Sequence, residues 1–240
     1  MTISFTYAPI GDRALMIGVN CDNPDSHSVM SGLVADKIRA LNVKGVTDIV
    51  PAFDQIAIHY DPIQWISSSS ETPYDEIVGY FGGKLSGMEV VLDATDQKMM
   101  RIPVCYDQKL GLDLEELSSI LKRSVSDLIN LHHSKTYTVG AIGFAPGFVY
   151  LEGLDTVLAV PRRSEPRTRV PAGSVAVAGG YTGIYPSVLP GGWHILGRTH
   201  ASLFQKSETC GALLSVGDKV EFEPISIGEF NAQQSLGENQ

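Results

Sequence analysis

The chain has 240 residues, enough for one large domain or two small ones, and 43% apolar with 19% charged residues supplies an ordinary globular core. Lys and Arg number 18 against 27 Asp and Glu, a net charge of −9, which speaks against the basic face of a general nucleic-acid binder. The 24 Gly and 13 Pro are more than a helical bundle wants and point to a β-rich, turn-rich protein.

In chain order, Ala14 to Val19 is a short apolar run that suits a strand. Val29, Leu33, Val34, Ile38 and Leu41 then share one helical face, with Asp25 or Ser26 as its cap and Gly45 just beyond its end. Val46–Pro51 and Gln55–Tyr60 read as two strands of a hairpin with Asp54 in the turn. Thr72 as N-cap, Pro73 in the first turn and Asp75 three residues on predict a helix carrying Ile77 and Phe81. A strand near Met88–Leu92 completes a β-α-β-β-α-β order, the split, ferredoxin-like unit.

Polar Asp93–Lys98 marks the domain boundary, placing an α+β domain at 1–95, a β domain at 96–227 and a polar tail at 228–240. Past it, Met100–Val104 reads as a strand. Asp113 and Glu116 form a capping pair for a helix bearing Leu114, Leu117 and Leu121, and Ser126 caps a second short helix. From Tyr137 onward no helical period survives, and strand-like segments broken by Gly and Pro suit a closed or nearly closed β structure.

Cys21, Cys105 and Cys210 are scattered and form no C-x-x-C, so a zinc knuckle or thioredoxin-type site is not expected, and reduced thiols of a cytoplasmic protein are. The first residues show neither the basic nor the apolar region of a signal peptide. The longest uncharged stretch, Val170 to Gly197, has ten Gly or Pro among its 28 residues, too many for a membrane span. Phe81-Gly-Gly-Lys-Leu lacks the first Gly and the Ser or Thr of a phosphate loop, no G-x-S-x-G is present, and Lys98-Met-Met does not supply a biotin-carrier hairpin.

Three stretches carry the candidate chemistry. In Gly143-Phe-Ala-Pro-Gly-Phe-Val-Tyr, a tight bend at Pro146 presents Phe144 and Phe148, with Tyr150 following; the rings either line an apolar pocket or fill the barrel core. Pro161-Arg-Arg-Ser-Glu-Pro-Arg-Thr-Arg-Val-Pro holds Arg162, Arg163, Arg167 and Arg169 on a proline-stiffened segment, with no Lys between Lys135 and Lys206. The rigid guanidinium fork suits carboxylate or phosphate, so the segment is an anion site, a partner contact, or a surface loop paired with Glu165 and neighbouring acids. In the third, Tyr185, Trp193, His194 and Arg198 lie among glycines. His194 is the strongest acid/base candidate of the six histidines, with a hydrogen-bonded structural role as the alternative; His132 and His133 adjoin on a short helix and so diverge.

These stretches, with Gly11-Asp-Arg-Ala-Leu, Gly45-Val-Thr-Asp-Ile-Val-Pro-Ala and His59-Tyr-Asp-Pro, resemble the family of KipI, allophanate hydrolase subunit 1 and the 5-oxoprolinase B subunit (PxpB) over about residues 5 to 225. The resemblance implies an α+β N-terminal domain followed by a cyclophilin-like β-barrel. It also implies a non-autonomous, cytoplasmic member of a hetero-oligomer. Its partners would be a KipA-type chain, the C subunit, and a LamB/YcsF-type chain, which together open the cyclic amide 5-oxoproline to glutamate with ATP. Two alternatives come with the family: a KipI-type inhibitor of a sensor histidine kinase, and a carboxyltransferase module of a urea amidolyase-like biotin enzyme. No metal is expected. In the leading reading an unstrained lactam needs its carbonyl oxygen activated, cations against the developing charge and an acid/base group for water. Arg163, Arg167, Arg169 and Arg198 are the expected anion-binding residues, His194 the proton-transfer residue, Tyr185 the orienting one, and Phe144, Pro146, Phe148 and Tyr150 the pocket.

Overall fold

The computed structural model describes residues 3–23, 26–66, 72–88, 90, 97–207 and 210–237. The chain is α+β, a small ferredoxin-like unit followed by a cyclophilin-like barrel, and its contacts divide it into Met1–Gln97 and Lys98–Gln240.

The first unit comprises β1 (Ile3–Pro9), β2 (Ala14–Cys21), α1 (His27–Ala40), β3 (Val46–Ala52), β4 (Gln55–Tyr60), a 3₁₀ turn (Pro62–Trp65) and α2 (Pro73–Leu85). β4 runs antiparallel between β2 and β3, which α1 connects; this is the split β-α-β arrangement. Period-2 burial of Leu15, Ile17 and Val19 on β2 and of Ile56, Ile58 and Tyr60 on β4 turns one sheet face to the helices. Met30, Val34, Ala35 and Ile38 of α1 and Ile77, Phe81 and Leu85 of α2 cover it. Each such large side chain contributes about 1.5–3 kcal/mol on burial. At α2 the Thr72 side chain accepts from Asp75 N–H while Asp75 accepts from Thr72 N–H, the reciprocal cap its spacing predicts. β1, which no apolar run announces, pairs with β2 on the side away from β4. Positions 89, 91 and 92 of the strand expected near Met88–Leu92, and most of the boundary segment, lie outside the described residues.

The second unit contains β5 (Met99–Cys105), α3 (Leu114–Leu121), α4 (Val125–His133), β6 (Thr136–Ile142), β7 (Val149–Glu152), a 3₁₀ turn (Thr156–Leu158), β8 (Arg167–Val170), β9 (Ser174–Ala178), β10 (Tyr181–Ile184), β11 (Leu189–Gly191), β12 (His194–Arg198), β13 (Phe204–Ser207), β14 (Cys210–Ala212), β15 (Lys219–Ile225) and α5 (Ile227–Gly237). Seven strands close on themselves in the order β6-β15-β5-β12-β9-β10-β7 and back to β6. The β5–β15 pair is parallel, in unbroken register from Met99↔Lys219 to Cys105↔Ile225. β9 is buried on both faces: Val175 and Val177 point into the barrel core, while Ala176 and Ala178 join an outer cluster with Phe148, Tyr185, Trp193 and Ile195. The β8–β11 ribbon adds Val170 and Leu189 to that outer cluster.

Three local readings need correction. α4 is capped by Ser124, whose side chain accepts Asp127 N–H, and not by Ser126. Asp113 stands at the N-cap of α3 but makes no capping hydrogen bond, because its carboxylate is engaged elsewhere. Residues 227–237, read as the start of a polar tail, form α5: Ser226 and Glu229 exchange hydrogen bonds as a capping box, and Phe230, 3% exposed, stacks on His200 at 3.9 Å.

At the end of α4, His132 is fully buried. Thr182 Oγ1 donates to the Ala176 carbonyl (3.1 Å), so it accepts from His132 Nε2–H (2.9 Å), and His132 Nδ1 then accepts the Tyr106 hydroxyl (2.8 Å). The ring stacks on Phe222 with centroids 4.7 Å apart. Burial above all, with the neighbouring His133 adding to it, lowers its pKa to about 3, so it is a neutral member of the core.

Candidate functional site

The loop between β6 and β7 is built to display aromatic rings. Phe144 has φ 71°, a left-handed backbone rare for a non-glycine, and is 63% exposed. The turn closes through Gly143 N–H to Phe148 O (3.1 Å) and Phe148 N–H to Ala145 O (3.0 Å). Gly147, at φ 82°, must be glycine, since a Cβ there would sit 2.6 Å from Phe204 Cβ. Phe148 is the hub: Phe144, Tyr150, Tyr185 and Trp193 meet it edge-to-face at centroid distances of 5.5, 4.8, 5.2 and 5.6 Å.

These five rings wall a cavity of about 310 Å³. Arg162, Arg163 and Pro166 approach from the proline-stiffened segment, and Pro190 to Gly192 from the β11 side. Burial raises the Tyr185 pKa, against the lowering effects of a hydrogen bond to the Trp193 backbone and of Arg162, so its phenol is protonated at neutral pH. A Cβ on Gly191 would overlap the Tyr185 hydroxyl, and that ring is locked in the core. Gly191→Ala is therefore expected to cost about 1–3 kcal/mol and to shrink the cavity. Thermal unfolding checks it; an unchanged midpoint would mean that Tyr185 has room to move.

The arginines divide. Arg167 grips both oxygens of Asp113 as a fork, at 2.6 and 2.9 Å. Arg163 reaches Asp113 at 2.8 Å and Glu116 at 2.5 Å. Asp113, its side chain 1% exposed, also accepts the Ile195 N–H at 2.7 Å. Two cations thus face two carboxylates, and the Asp113–Glu116 pair, expected to cap α3, instead anchors the arginine segment. Arg169 is exposed on β8, and Arg198 donates from Nε to the Ala172 carbonyl at 2.7 Å. Arg162 alone of the four in the segment lines the cavity without a hydrogen bond or ion pair among the described residues.

Of the residues singled out from sequence, the fold gathers Phe144, Phe148, Tyr150, Tyr185 and Arg163 around one cavity. Pro146 is exposed on the loop, and Arg167, Arg169, Arg198 and His194 lie off the cavity wall. His194 is buried; its Nε2–H donates to the Pro161 carbonyl at 3.0 Å, leaving Nδ1 buried without a partner among the described residues. Sequence reading undervalued Arg162 and Trp193, each adjacent to a residue it preferred, and missed the anchoring role of Asp113. Among the described residues no group of three or more His, Cys, Asp or Glu is placed to hold a metal ion, and no helix is long and apolar enough to cross a membrane.

This barrel, with its outer aromatic cluster, is a known architecture: the family model for the carboxyltransferase domain, subdomain C and D, matches residues 5–214, and the chain belongs to that family, the one its KipI / PxpB motifs indicate. It is 33% identical over 236 residues to the 5-oxoprolinase B subunit of Bacillus subtilis (strain 168), covering 97% of this chain and 98% of that one. The crystal structure of TTHA0988 superposes with a TM-score of 0.71 at 31% identity over 89% of this chain; this chain spans 40% of that longer one. The Kluyveromyces lactis urea amidolyase structure shares the fold, with a TM-score of 0.72 at 17% identity over 95% of this chain and 15% of its own.

Proposed function

We propose that the chain is the B subunit of an ATP-dependent 5-oxoprolinase, which opens 5-oxoproline to glutamate only when assembled with a KipA-type and a LamB/YcsF-type partner. The observation that carries this reading is a nearly full-length likeness to a 5-oxoprolinase B subunit, in a chain whose aromatic pocket has the size and polarity for a small cyclic amide. The rings exclude water from a planar lactam. Tyr185, whose hydroxyl already meets the Trp193 backbone, keeps its own proton to donate to the lactam carbonyl and so orients it.

The pocket does not suit ATP. A triphosphate brings several negative charges, while of the two arginines on the wall Arg163 is already matched by Asp113 and Glu116, which leaves only Arg162. In this reading the nucleotide is held in the assembled complex, and this chain contributes substrate binding and orientation. The purified chain alone is expected neither to hydrolyse ATP nor to open 5-oxoproline. Adding both partner types should produce ATP-dependent glutamate. Robust turnover by the chain alone, or none by the full assembly, would refute the proposal.

A further inference from the structure

We infer that the pocket selects a small ring bearing one carboxylate, with Arg162 holding the carboxylate and Phe144 covering the ring. This deepens the 5-oxoprolinase reading and rests on it for naming 5-oxoproline as the ligand.

Charge is the first argument. The cavity wall is aromatic apart from Arg162, Arg163, Pro166, Pro190 and the glycines at 191 and 192. Arg163 is compensated by Asp113 and Glu116, which leaves Arg162 as the one unmatched cation on the wall among the described residues. Its field reaches the phenols of Tyr150 and Tyr185. One positive charge over neutral rings matches a monoanion and gives a di- or polyanion too little compensation. The guanidinium fork also matches a carboxylate in geometry.

The second argument is Phe144. A core ring is normally buried on an unstrained backbone, yet this one is 63% exposed at φ 71°. Neither propensity nor burial accounts for it. Strained residues of this kind cluster at ligand clamps, where the surrounding structure enforces the conformation. Here the Gly143–Phe148 hydrogen bond and the glycine at 147 enforce it, and the Phe148 edge supports the ring at the cavity mouth. A planar cover above an aromatic floor suits a flat five-membered amide, and a cavity of about 310 Å³ is at the small end of ligand sites.

Three probes separate the parts by calorimetric titration of the purified chain and of the reconstituted complex. These are 5-oxoproline; 2-pyrrolidinone, the same lactam without the carboxylate; and cyclopentanecarboxylate, the same ring size without the amide. Arg162→Ala is expected to weaken 5-oxoproline and cyclopentanecarboxylate about 10- to 100-fold and to leave 2-pyrrolidinone unchanged. Arg162→Lys should recover part of the loss. Phe144→Ala should weaken all three. Because Arg162 has no partner among the described residues, the thermal midpoint of its variants should match the parent, so lost binding would not be misfolding.

In the complex, Arg162→Ala should raise KM for 5-oxoproline by the same factor. An Arg162→Ala protein that binds both carboxylate probes like the parent, or that loses all three probes equally, would overturn the carboxylate role, even where the complex still opens 5-oxoproline. Binding of the carboxylate probes that depends on Arg162, in a complex that never opens 5-oxoproline, would keep the charge selection and refute the 5-oxoprolinase reading instead.

Discussion

Asp113→Ala is expected to destabilise the second unit by about 3–5 kcal/mol. The carboxylate is buried and accepts four hydrogen bonds, two from Arg167, one from Arg163 and one from the Ile195 amide. Truncation leaves the Arg167 guanidinium half-buried without a counter-charge and strands a buried N–H. Arg163 retains Glu116, so it loses less. Asp113→Asn should fall between, because the amide oxygen can still accept from Ile195 while the charge is lost. Urea unfolding, followed by Trp193 fluorescence in a Trp65→Phe background, reads this unit separately. A loss below about 1 kcal/mol would mean that the arginine segment holds its place without Asp113.

Acidification supplies the second large effect. In the unfolded chain His132 takes up a proton near the ordinary histidine pKa of about 6.5, whereas in the fold it resists protonation down to about 3. Between those values the unfolded state binds more protons. Stability from this group is therefore fully present above about pH 6.5 and is lost as pH falls, by up to about 1.4 kcal/mol per pH unit. From pH 6.5 to pH 5 the loss is about 2 kcal/mol. His132→Gln, which has no charge to gain, should remove that part of the slope whatever its effect on absolute stability. Parallel slopes for the two proteins in urea midpoints between pH 7 and pH 5 would show that His132 is not the group responsible.

What could be read in advance was local. Thr72, Pro73 and Asp75 lie within four residues and specify a cap by themselves, and the Ala52–Gln55 turn joins a short strand-like run to the alternating one that carries Ile56 and Ile58. The aromatic stretch and the arginine run were visible as unusual composition. What escaped were pairings across the chain. Asp113 meets Arg167 from 54 positions away and Ile195 from 82, so its spacing to Glu116 suggested only a cap. His132 finds Thr182 at 50 positions, and nothing near it in sequence marks it as core. β1 was legible but passed over: Ile3, Phe5 and Tyr7 alternate with Ser4, Thr6 and Ala8 and pack on the core of the first unit, the pattern of a strand covered on one face. α5 escaped because Phe230 is its one described buried side chain. Which arginine remains unmatched is likewise set by where the carboxylates land, not by the run itself.

β15 has a consequence for how the protein reaches this state. It inserts between β5 and β6, and its Glu221 meets Arg101 across 120 positions of chain. The β6–β7 and β9–β10 hairpins are local and can form early, but the barrel has no closed form until that distant strand arrives. A topology with such remote pairing folds slowly. Throughout the wait, β5 and β6 each present an open row of N–H and C=O groups that a second copy can occupy as readily as β15. The competition is between one intramolecular strand and many intermolecular ones, so refolding yield should fall as protein concentration rises, while the finished barrel, its edges consumed by closure, no longer offers that route.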